Sequence, residues 1–138
     1  MAEKTRSPLA VKILAVLLFL FGLLAFVGSA FLWGEGFILS PPDGTDLAFP
    51  ITDILVNGPA SIAAAIGLWK MKQWGYATSQ FVAGFYIYAS VEIFVHVAQD
   101  GPPYAMEIVA PQILAVLVAV ALVAYLWRIR DQFIGDSI

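Results

Sequence analysis

Phe81-Val-Ala-Gly-Phe-Tyr-Ile-Tyr-Ala-Ser-Val-Glu-Ile-Phe-Val-His-Val97 decides how this chain is read. As a helix the stretch is long and apolar enough to cross a bilayer, yet it carries Glu92 and His96, which stand one turn apart and so share a face. Ionisable groups inside a membrane segment are costly, and they mark a bundle interior, a water-filled cavity or a site.

Working outward, Lys70-Met-Lys-Gln-Trp-Gly-Tyr76 precedes the stretch and Asp100-Gly-Pro-Pro103 follows it. Two lysines between Trp69 and Trp74 have the chemistry of a membrane–water interface and read as a tight hairpin. The pattern therefore predicts a third helix over about 75–97 and, beyond the prolines, a fourth over about 104–127, loosened by Pro111 and closed by Arg128 and Arg130. Upstream, a second helix is expected over about 51–69, with Pro59 inside it. A kinked span is preferred to a helix capped by Asn57, because residues 59–69 alone cannot cross roughly 30 Å. Its pairs Ala60/Ala64 and Ala63/Gly67, like Ala115/Ala119 on the fourth helix, allow close approach of a neighbouring backbone. The first helix is expected over about 8–33, with Ser7 as N-cap and Pro8 in its first turn. Its basic start, apolar run and Gly28-Ser29-Ala30 also fit a cleaved signal peptide, but a retained span is the preferred reading. Gly34 to Pro50 reads as a loop broken by Pro41, Pro42 and Gly44, with an interfacial piece around Phe37-Ile-Leu39.

Composition agrees. At 138 residues, 61% hydrophobic and 12% charged, with a mean hydropathy of +0.87, the chain is too apolar for a soluble domain. The fold class expected is an all-α integral membrane protein, a single four-span antiparallel bundle over residues 1–138. No polar stretch exceeds a loop, so a soluble catalytic domain is not expected. The absence of cysteine excludes disulfides, thiol redox chemistry and thiolate-bound metals, and the single histidine excludes bis-histidine haem. A net charge of −3 with no basic patch argues against nucleic acid.

Lys4, Arg6, Lys12, Lys70, Lys72, Arg128 and Arg130 all fall on one side of the four-span arrangement, while Glu35, Asp43, Asp46 and Asp100 fall on the other. By the positive-inside rule both termini are expected in the cytoplasm, with the chain in the cytoplasmic or plasma membrane.

The same arrangement places polar residues at one depth in the outer leaflet. Asp53, Asn57 and Ser61 repeat every four residues on the second helix, Glu92 and His96 lie near the outer end of the third, and Glu107 opens the fourth. Together with Tyr86 or Tyr88 beneath, they are expected to line an outward-facing polar pocket. Asp53 and Glu107 could equally serve as helix-end acids, and His96 as an interfacial residue. Glu92 is the residue that most needs a partner or a proton.

Three functions compete. The first expectation is binding or transport of a small amphipathic or cationic ligand, in a homo-oligomer or larger membrane complex surrounded by lipid, since acidic outer loops concentrate cations. The second is an integral membrane enzyme acting on a lipid-soluble substrate, with Glu92 and His96 as acid and base. The third is a non-catalytic accessory subunit. Cofactors are left open: the ligand types would suit a metal, but Glu-x-x-x-His does not match the Glu-x-x-His spacing of di-iron bundles.

Overall fold

The computed structural model describes residues 7–34, 48–100 and 106–133. Among these every regular element is helical, and four helical segments are long and apolar enough to cross a membrane. Helix α1 spans Leu9–Gly34. The second segment is composite, built of α2 (Ala48–Thr52), a π-helical turn (Asp53–Asn57) and α3 (Gly58–Trp69). Helices α4 (Gln73–Asp100) and α5 (Met106–Arg128) follow, and a 3-10 turn, Arg130–Phe133, ends the described chain. At 1.5 Å per residue the 28 residues of α4 reach about 42 Å.

The differences from the sequence reading have local causes. Pro50, read as the end of a loop, lies in the first turn of α2, where its missing N–H costs no helical hydrogen bond. Residues 35–47, with the expected interfacial piece and Glu35, Asp43 and Asp46, lie outside the described residues. Pro59 neither breaks the segment nor starts it. It has no N–H and its ring presses on the carbonyl four residues back, and the preceding turn is widened so that the Gly58 N–H bonds to the Asp53 carbonyl five residues earlier. Helix α4 begins before Gly75 because that glycine is a packing contact rather than a start signal. A Cβ on Gly67 would overlap the Gly75 backbone, so the two helices cross with no side chain between them.

The turn joining α3 to α4 is a Schellman motif. The Lys72 N–H bonds to the Gly67 carbonyl at 2.9 Å and the Met71 N–H to that of Leu68 at 3.0 Å, with Met71 at φ 54° where glycine is usual. Burial of the Met71 side chain compensates that left-handed residue.

Packing runs in sequence, α1 on α3, α3 on α4, α4 on α5, while α1 and α5 barely meet. Val11, Leu14 and Leu18 recur every three or four residues and, with Ala15, form the buried edge of α1. They face a core of Ala64, Leu68, Val82 and Ala83, continued by Ala115, Ala119, Leu122 and Leu126 on α5. The outward faces carry no compensating polarity: Leu20, Leu24, Phe31, Val91, Leu117 and Val120 are all exposed.

One end of the bundle is basic. Lys12 lies over the Trp69 ring at 5.8 Å, Arg130 over Trp127 at 4.6 Å, and Tyr76 meets Phe133 with ring centroids 5.7 Å apart. The start of α1, the α3–α4 turn and the end of α5 are thereby gathered together.

Candidate functional site

Away from the basic end, a file of polar side chains runs down the second segment and crosses to α4. Asn57 Nδ2 donates to Asp53 Oδ1 at 2.9 Å, Ser61 Oγ donates to Asn57 Oδ1 at 3.0 Å, and Ser61 Oγ lies 2.8 Å from the Tyr86 hydroxyl. The four-residue spacing that predicted one stripe therefore produces a continuous chain, and the widened turn at 53–57 holds its upper half.

The chain has a direction. A serine has one proton to give, and Ser61 gives it to Asn57, so the third bond must be donated by Tyr86. Every bond then points toward Asp53. Its carboxylate is an acceptor with lone pairs left over once Asn57 is bound, and it ends the chain on the side away from the lysines. At the opposite end Tyr86 is 3% exposed and closed by Phe21 of α1, whose ring meets it edge-on with centroids 5.5 Å apart. Tyr86 belongs to the same buried apolar cluster as Leu18, Ala64 and Leu68.

Of the two tyrosines suggested by the sequence, Tyr86 belongs to this chain. Tyr88 is 66% exposed and faces away from it. A signal for this was present on α4: Ser79, Ala83, Tyr86 and Ser90 recur at helical spacing, and all four are buried. Phe21 had no such signal.

Glu92 stands elsewhere. It is six residues from Tyr86, roughly 120° around the helix at 3.6 residues per turn. It aligns instead with Tyr88 and Phe81, four and eleven residues back, which are 66% and 58% exposed. Half-buried itself, Glu92 makes no side-chain hydrogen bond among the described residues. It also lies farther from the helix end than the sequence placed it, since α4 continues to Asp100. His96 and Glu107 lie on the backbones of α4 and α5, and their side chains fall outside the described residues.

Helix α5 is tied to α4 by two separate polar contacts. Ser90 Oγ donates toward Gln112 Oε1 at 3.1 Å, one residue past Pro111, and Gln80 Nε2 donates to the Leu122 carbonyl at 3.1 Å. Both close on themselves and read as structural. Among the described residues no group of three histidine or carboxylate side chains converges as a metal would require.

No protein-family profile matches the chain, and neither a curated protein nor a solved structure matches it.

Proposed function

We propose that this chain is a four-span integral membrane protein with both termini in the cytoplasm, and that Asp53, Asn57, Ser61 and Tyr86 form an outward-facing site for a small amphipathic or cationic ligand. Exposed apolar faces on all four long segments support insertion, because a water-facing helix would be polar there. Among the described residues Lys12, Lys70, Lys72, Arg128 and Arg130 lie at one end of the bundle, which supports the orientation.

The observation that carries the binding reading is the directed chain of hydrogen bonds ending on Asp53. Tyr86, Ser61 and Asn57 each spend a donor toward the carboxylate, which holds it in place and leaves acceptor capacity on the outer side. An ammonium or other donor-rich cation satisfies such a group, and the surrounding apolar side chains accept its hydrocarbon part. The buried apolar cluster that includes Tyr86 favours binding at the outer level over passage through the bundle.

The test is calorimetric titration of the purified protein in nanodiscs with tetraphenylphosphonium and with short alkylammonium ions. Saturable binding that is lost in Asp53→Asn and kept in Glu92→Gln is the expected result. Absence of binding for every ion, or binding indifferent to Asp53→Asn, sinks the reading.

A second reading, the accessory subunit, is favoured by Glu92. A carboxyl on the bare face of Phe81 and Tyr88 is costly against lipid, and a partner helix presenting a donor there would relieve that cost. The acid–base reading draws no comparable support, because Glu92 stands apart from the polar chain.

A further inference from the structure

On the other side of the molecule, between α1 and α3, lies an apolar groove of about 370 Å³. Its floor is small, with Ala15 and Ala65 2% and 4% exposed, and its walls are the half-exposed side chains of Phe19 and Ile66. At the basic end it is closed by Trp69 and Lys70. Lys12 adds a second ammonium there, 5.8 Å from the Trp69 ring centroid.

We infer that this groove binds an anionic phospholipid of the cytoplasmic leaflet, its phosphate on Lys12 and Lys70 and the upper part of one acyl chain along Ala15 and Ala65. The inference rests on the membrane orientation proposed above. An occupant of this site must be apolar along most of its length and negative at one end, because the groove lining is apolar up to Trp69 and cationic beyond it. A second copy of the chain does not meet that requirement. Inserted in the same orientation, it brings its own lysines and arginines to the same level, like charge against like. Trp69 fits the role of the flanking wall, since an indole sits favourably at headgroup depth with its ring against the chain.

The test reads Trp69 directly. In the variant Trp33→Phe/Trp74→Phe/Trp127→Phe only Trp69 fluoresces, and bromines on lipid chains quench it on contact. The variant is reconstituted in phosphatidylcholine vesicles containing one-fifth phosphatidylglycerol, with bromines carried either by the phosphatidylglycerol or by an equal share of the phosphatidylcholine. The expected result is a relative affinity at Trp69 at least about fivefold in favour of phosphatidylglycerol, falling toward parity in Lys12→Gln/Lys70→Gln. Should the double variant fail to fold, as judged by circular dichroism, Lys70→Gln alone must lower the ratio. A matching variant with Trp127 as sole tryptophan, beside Arg128 and Arg130, reports the preference of ordinary boundary lipid. Equal quenching by the two lipids at Trp69, or a preference no greater than at Trp127, overturns the inference. Selective relief of quenching by sodium phosphate, beyond that by sodium chloride of the same ionic strength, overturns it in favour of a simple anion site. Failure of the protein to float with the vesicles overturns the membrane reading itself, a distinct outcome.

Discussion

Ser61 Oγ and the Tyr86 hydroxyl lie 2.8 Å apart, and this bond joins the second segment to α4. Because Ser61 also donates to Asn57, Tyr86 must be the donor to Ser61, and the bond polarises a chain that ends on Asp53. Ser61→Ala and Tyr86→Phe should each destabilise the protein, and the double variant should lose less than the sum. A coupling of about 1 kcal/mol is expected, in the range measured for hydrogen bonds between membrane helices, from reversible unfolding in detergent micelles. Strict additivity would show that the bond does not contribute.

The glycines should separate into two classes. A Cβ at Gly67 meets the Gly75 backbone, which cannot yield, whereas at Gly22 it meets Ile62 Cγ1 at 2.7 Å and the Gly58 carbonyl oxygen at 3.1 Å, and at Gly58 the Phe26 ring at 2.6 Å. Gly28 and Gly84 have nothing nearby. Gly67→Ala should therefore cost about 3 kcal/mol or more, Gly22→Ala less because Ile62 can rotate, and Gly28→Ala and Gly84→Ala should be neutral or stabilising by up to about 1 kcal/mol. The bulkier pair Gly67→Leu and Gly22→Leu should keep that order. Equal melting temperatures for Gly67→Ala and Gly84→Ala would remove the close α3–α4 crossing.

Glu92 and Asp53 should respond oppositely to an apolar replacement. Glu92→Leu removes a carboxyl from an exposed apolar face and should leave the isolated protein as stable as before, or more so. Asp53→Leu removes the acceptor of Asn57 and should cost about 1 to 2 kcal/mol. Thermal unfolding of both variants decides. A Glu92→Leu protein that unfolds would mean the carboxyl has an internal partner.

The lack of cysteine makes the orientation testable by single-cysteine labelling. Lys4→Cys and Lys72→Cys should be protected from a membrane-impermeant maleimide in intact cells, and Thr45→Cys and Gly101→Cys should react. Labelling of position 72 from outside alone would invert the bundle and bring the polar chain to the cytoplasmic face.

Much of the architecture could be read from the chain, because long helices of uniform hydropathy declare themselves without tertiary information. The four segments, the hairpin at 70–72, the grouping of Lys12, Lys70, Lys72, Arg128 and Arg130 at one end and the stripe of Asp53, Asn57 and Ser61 all follow from periodicity and breakers. The rotation of each helix was hidden for the same reason: when every face is apolar, no amphipathic pattern says which one turns inward. Only packing separated Tyr86 from Tyr88, set Glu92 on a different face from the Asp53 chain, and brought Phe21 against the tyrosine. The widened turn before Pro59 was likewise invisible, since a proline in an apolar run predicts a disturbance but not how the backbone absorbs it. In such a chain sequence dictates which segments are helical and where they carry charge, and the meshing of small residues such as Gly67 and Gly75 dictates which side chains meet.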